Sequence, residues 1–460
     1  MLDTHPDLTS DVIFGLGWLY TILFLMNIGW TLRAYNLKLE NKFLSGLAGS
    51  HIPSASVWAI YSGVLMMTAL AHFTGSSSPE SFVVRMPGFL KAGVDWFADP
   101  VRYFCLSIGL FVGVVMLRKQ LVKPTVAWSL LNLSILFLGL SMTDYDFRLI
   151  VGKPDNVPIV GMLFILAFFT WLYFKRAVDN DQRIKDGRPL FEQEKNDKIL
   201  VWPDLVYSEL ICMIALTAFL VLWGIALQAP LEEAANAAAT PNPSKAPWYF
   251  LGLQEMLVYF DPWLAGVVLP SLILVGLAVI PYIDFNKRGN GYYSYEERKF
   301  AVLTFLFGFL PLWVAMIVLG TFLRGPNWNV FGIYEYWDVH KLEAANNKNL
   351  SDFFWLYWPT GEMLGGMPKY NPQGSAAEMV IAILVREWLG IVLVLGYFMV
   401  SPIIMALTVF RKFYVKMGFI RYMIMANLLL WMAALPIKMV LRWTVSLKYI
   451  VAIPEYFFNI

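Results

Sequence analysis

Charge is scarce in this 460-residue chain, where Asp, Glu, Lys and Arg make up 15% of the residues against 58% hydrophobic. That balance excludes an ordinary soluble globular protein of this size. The net charge of +2 gives no broad basic surface for nucleic acid, because the basic residues fall in short clusters between apolar runs. Cysteine is nearly absent. Cys105 and Cys212 both lie inside apolar runs, with no Cys-x-x-Cys-His for covalent haem and no paired spacing for zinc, so no metal site is expected. Both are expected to be small buried hydrophobes. Histidine is rare too: His5, His51, His72 and His340 are the four. His72, at the end of an apolar run, reads as a satisfied interfacial histidine. The first ten residues hold no Lys or Arg, so a cleavable signal peptide is not expected.

Long apolar runs are what the chain has in abundance. A membrane crossing needs about 20 mostly apolar residues. Ten segments qualify, about 11–32, 54–73, 101–117, 124–142, 157–174, 204–228, 263–283, 300–323, 388–410 and 418–437. The expected fold class is therefore an all-α polytopic integral membrane protein. With the N-terminus outside, segments 33–53, 118–123, 175–203, 284–299 and 411–417 face the cytoplasm and carry most of the Lys and Arg, as the positive-inside rule requires. Both termini are then on the outer side. Asp144 and Asp146, after the fourth span, read as a solvated helix end. Arg386 and Glu387, before the ninth, read as a salt bridge.

Between the sixth and seventh spans lies KAPWYFLGLQEMLVYFDPW, from Lys245 to Trp263, too short and polar to cross a bilayer. It predicts an interfacial helix with Ser244 as cap, Pro247 in its first turn and an end near Phe260, where Asp261 and Pro262 follow. At 3.6 residues per turn Trp248, Leu251, Glu255 and Tyr259 share one face. A carboxylate among aromatic side chains is suited to take a proton from a flat, redox-active ring.

The order of polar helix, loop, Pro-Trp-Tyr helix, apolar span, basic loop and apolar span over residues 196 to 325 resembles the C-terminal half of cytochrome b and subunit IV of cytochrome bf complexes. The family opens this helix with Pro-Glu-Trp-Tyr, where this chain reads Ala246-Pro247-Trp248-Tyr249. The stretch WPDLVYSEL from Trp202 to Leu210 is similar to the start of the first subunit IV helix. The resemblance implies a quinol-oxidation site on the outer side, with Pro247, Trp248, Tyr249, Phe250, Leu251 and Tyr259 as quinone-binding candidates. Glu255 is the candidate proton acceptor, or else it caps or pairs with a neighbouring subunit. It lies eight residues after the family's glutamate position, about 12 Å along the helix and about 80° around it.

Cytochrome b carries its two b haems on paired histidines, which this chain lacks, so the haems are expected on a partner. The resemblance thus implies a subunit, inactive alone, of a bacterial Rieske/cytochrome b type quinol oxidoreductase in the cytoplasmic membrane. Its quinone would be menaquinone or ubiquinone. Its partners would be a haem-bearing cytochrome b-like subunit, a Rieske iron–sulfur protein and a c-type cytochrome. A structural membrane anchor, and a quinone-binding subunit working with an iron–sulfur protein without cytochrome b, are the alternatives. Residues 1–195 form a five-span region without assignable chemistry. Residues 326–460 add a long aromatic loop, two spans and an aromatic tail.

Overall fold

The computed structural model describes residues 8–41, 45–46, 51–195, 197–228, 231, 234–286, 291–344, 346–369 and 374–460. The expected basic residues Lys42, Lys287 and Arg288, together with His5, lie outside them. The protein is an all-α polytopic membrane protein. Among the described residues nine helices are long and apolar enough to cross a bilayer: α1 (Ser10–Asn36), α2 (Ser54–Gly75), α5 (Pro124–Ser141), α6 (Val157–Lys185), α7 (Val201–Ala226), α9 (Leu264–Ile283), α10 (Lys299–Leu323), α11 (Ala376–Leu407) and α12 (Phe419–Val445). Taken together as one span, the pair α3 (Gly88–Trp96) and α4 (Pro100–Met116), which meet at 90°, brings the number to ten. The bend has a local cause. Asp99 caps α4 by accepting from the Val101 and Arg102 amides, and Pro100 opens the helix.

The span boundaries follow the apolar runs except that α6 runs on to Lys185 and α12 to Val445, past the expected 174 and 437, and that α11 starts early. α11 begins at Ala376, where Ser375 and Glu378 form a capping box, so Arg386 and Glu387 lie inside the helix rather than before it. Their pairing holds: Arg386 Nε is 3.0 Å from Glu387 Oε1. Arg386 also grips Glu455 of the tail at 2.6 and 2.9 Å, and Glu387 accepts the Ala452 amide at 3.0 Å. The tail beyond α12 turns back on itself in a small antiparallel pair, β1 (Ala452–Ile453) with β2 (Phe458–Asn459).

Contacts between the connections define two ends. At the basic end Arg118 meets Glu296 at 2.7 Å and stacks on Tyr295, while Asp181 accepts from Ser294 Oγ at 2.7 Å. At the opposite, loop-rich end Lys91 pairs with Asp144, Tyr334 N–H donates to Asp95 at 3.1 Å, and Tyr334 shares a 2.7 Å hydrogen bond with Ser141. The first five crossings are thus tied to the later ones at both ends. Asp144 is not a solvated helix end. It is 4% exposed and caps the following turn through the Phe147 amide, because Lys91 on α3 reaches it.

Inside the bilayer, α1 and α5 are joined by Asn27 and Asn132, whose side chains bond at 2.6 Å, with Trp128 Nε1 donating to Asn27 at 2.9 Å. Polar pairs are effective there, because lipid offers no replacement partner. Asn132→Leu should lower stability in detergent by about 1 kcal/mol, read as a shifted unfolding midpoint. An unshifted midpoint would make this bond incidental.

His72 is fully buried between Tyr20 and Phe82, its Nδ1 2.7 Å from the Thr68 carbonyl and its Nε2 without a partner. It is enclosed and half satisfied, not interfacial. Cys105 and Cys212 are exposed rather than buried. Lipid is as apolar as a core, so the hydrophobicity of a residue in a span does not decide which way it points. α7 illustrates the same point, since none of its most apolar stretch is buried inside the protein.

Candidate functional site

The Pro-Trp-Tyr stretch forms a short helix, α8 (Trp248–Met256), at the loop-rich end. It ends at Met256 rather than Phe260. Pro247 sits at the N-cap, not in the first turn, and no side chain caps it. Gln254 reaches back instead, accepting from the Ala246 amide and donating to the Ser244 carbonyl, both at 2.8 Å. At the other end Lys448 from the tail donates to the Leu257 and Val258 carbonyls at 3.0 and 3.1 Å, taking the place of further helical turns.

α8 lies directly on α10 because two glycines let the backbones approach. A Cβ on Gly252 would be 3.3 Å from Ile317, and one on Gly320 would be 3.3 Å from Leu251. The last turn of α10 is widened, with the Arg324 amide bonded to the Leu319 carbonyl five residues back. This turn brings Arg324 beneath α8. There its guanidinium holds both oxygens of Glu255 at 2.5 and 2.9 Å, and donates to the Trp328 carbonyl at 2.7 Å. Glu255 is 0% exposed. Burial raises its pKa, opposed by Arg324 and, more weakly, Lys245.

The other candidates divide by depth. Tyr249 and Phe250 are about half exposed, at 48% and 49%, and Pro247 is also exposed. Trp248 is half-buried against Phe322, Tyr334 and Trp337. Leu251 and Tyr259 are buried, Tyr259 in a cluster with Leu264, Met316 and Met439. Thus the expected shared face of Trp248, Leu251, Glu255 and Tyr259 is the face α8 turns to the protein. The open face carries the two adjacent aromatics, whose rings are 4.6 Å apart. A flat ring fits against such a surface by stacking.

Three residues of this site were not singled out by sequence. Arg324 stands just after an apolar span, where a buried acid nearby could have flagged it as a partner. Lys245 precedes the Pro-Trp-Tyr run. It donates to the Thr321 carbonyl at 2.9 Å and lies 4.9 Å from the centre of the Trp337 ring. Burial pulls its pKa down to about 7. Lys448 gave no signal at all, being distant in sequence. The tail adds further holds on the segment after α8: Asn459 donates to Asp261 at 2.6 Å, and Trp263 donates to the Asn459 carbonyl at 3.0 Å.

No solved structure matches the chain. The sixth span, α7, with its Trp202 to Leu210 stretch, falls outside the family match that covers the site. Residues 234–329, which hold α8, Glu255, α9, α10 and Arg324, match the family described as Cytochrome b(C-terminal)/b6/petD.

Proposed function

We propose that the chain is a membrane subunit of a bacterial Rieske/cytochrome b type quinol oxidoreductase, and that α8 forms one wall of its quinol-oxidation site. The observation that carries this reading is the pair Tyr249 and Phe250, held on the open face of a firmly anchored helix within the family-matched segment. The ring to be bound is menaquinone or ubiquinone, which supplies two-electron chemistry when present. Pro247, Trp248, Tyr249 and Phe250 would contact it, while Leu251 and Tyr259 support the helix from beneath. A haem-bearing cytochrome b-like subunit would close the other side, with a Rieske iron–sulfur protein and a c-type cytochrome as electron acceptors. The basic end would face the cytoplasm and the loop-rich end, with both termini, the outer side. Residues 1–195 and 326–460 would brace the module on either side.

In this reading Glu255 anchors α8. With both oxygens held by Arg324, it can accept a proton only after that pair opens. The test is quinol-driven reduction of the haems in the purified complex, with haem content checked first. The double change Tyr249→Ala and Phe250→Ala should raise KM about thirtyfold, two well-placed aromatic contacts being worth about 1 kcal/mol each. An unchanged KM with intact haems would leave the chain as a structural anchor.

A further inference from the structure

Resting on the reading above, the site needs a group able to take a proton, and the buried carboxylate nearest the ring surface is already committed to Arg324. Next to it stands a different base. Lys245 is fixed in the backbone between two bonds to Gln254, at Ser244 and Ala246. Its ammonium uses one donor on the Thr321 carbonyl and lies against Trp337. In the same place two further polar atoms are buried without any hydrogen-bond partner, Thr321 Oγ1 and Trp337 Nε1. Thr321 is itself 3% exposed. An indole N–H and an ammonium can only donate, and a hydroxyl can also donate. Unmet buried donors each cost about 1–3 kcal/mol, so an accepting oxygen placed among these three groups would be favoured.

We infer that Lys245 is the proton-exchanging residue of this site, and that Thr321 Oγ1 and Trp337 Nε1 complete a donor pocket for the oxygen of a hydroxylated ring. A quinol gives up two protons and two electrons. The O–H bond of one hydroxyl breaks and its proton goes to the neutral Lys245 amine, forming the ammonium. The second proton passes to a basic side chain of the partner subunit that completes the pocket. The two electrons go to one-electron acceptors held by partner chains, an iron–sulfur cluster and a haem. The charges facing Lys245 are Lys153, Arg324, Asp155 and Glu255, which after burial set its affinity for a proton. Of these charges, Lys153 and Asp155, paired at 3.0 Å, are the ones half-exposed to water.

The test compares Lys245→Met and Lys245→Arg with the wild-type complex. One readout needs no turnover. A lysine whose pKa is depressed by folding binds its proton more tightly when unfolded, so it makes stability rise with pH between about 7 and the ordinary value of 10.5. The melting-temperature difference between wild type and Lys245→Met should therefore widen in favour of wild type across that window. The second readout is the pH profile of haem reduction by a short-chain quinol. The wild-type rate should climb through about pH 7, while Lys245→Arg, which cannot lose its proton, should fall about a hundredfold and lose that climb. A flat melting difference overturns the inference whatever the rates do. So does a Lys245→Arg profile equal to wild type. A wild-type complex that oxidises no quinol, yet shows the melting difference, overturns the proposed function and with it the catalytic role of Lys245, leaving a titrating buried lysine.

Discussion

Replacing Arg324 with Met is expected to destabilise the loop-rich end by about 3–5 kcal/mol, because it strands a fully buried carboxylate. Glu255 has no exposed surface and, among the described residues, its carboxylate is held by no side chain other than Arg324, so it would have to take up a proton to remain in place. Glu255→Met alone should cost a similar amount by stranding the Arg324 guanidinium, which would keep only the Trp328 carbonyl. The double change should recover most of either loss, since two methionines fill the space without charge and buried pairs are often worth little net. Denaturant unfolding in detergent gives all three values. A single-variant loss below about 1 kcal/mol, or a double variant as weak as the sum of the singles, would show that the pair is solvated in practice and does not hold α8 to α10.

The second large effect is expected at Arg386→Met. This side chain ties α11 to the tail through Glu455 and the Ala452 carbonyl, and it neighbours Glu387, which is 2% exposed. Its loss leaves two acids uncompensated, again for about 3–5 kcal/mol. The damage should travel, because the same tail supplies Lys448 to the end of α8 and Asn459 to Asp261. Limited proteolysis should therefore cut both the tail and the α8 segment faster in the variant. Cutting confined to the tail would mean that the clamp on α8 stands alone. The anchor is also pH-sensitive. Arg386 holds the Glu455 carboxyl below its ordinary value of 4.5, so its contribution is fully present above that value and is lost as pH falls through the depressed one.

Most of the fold could be read from the sequence, and the reason is physical. The hydrocarbon layer sets a length of about 20 apolar residues and forbids unpaired backbone, so runs such as 264–283 and 299–323 are helices wherever they sit. The misjudged parts lie where that rule gives no guidance. α11 starts early because a capping box and a distant glutamate make Arg386 and Glu387 tolerable inside a helix. α8 stops early, the chain continuing through tight turns at Leu257, Val258 and Tyr259, and Lys448 takes the Leu257 and Val258 carbonyls beyond its end. Sequence placed Glu255 on an aromatic face, but which way that face points depends on α10.

The sequence alone determined that this is an all-helical membrane protein with alternating ends, and that the stretch from Lys245 onward carries its cytochrome b-type pattern. Periodicity, apolar length and the distribution of basic residues are local properties, and the bilayer reads them one segment at a time. Only the tertiary structure decided that Glu255 is an anchor held by Arg324, that Tyr249 and Phe250 are the surface left open, and that Lys245 is held against the Thr321 carbonyl and the Trp337 ring. Those assignments depend on pairs such as Glu255 with Arg324 and Leu257 with Lys448, far apart in sequence. Such pairs meet only when two glycines let α8 settle onto α10 and the tail folds back over both.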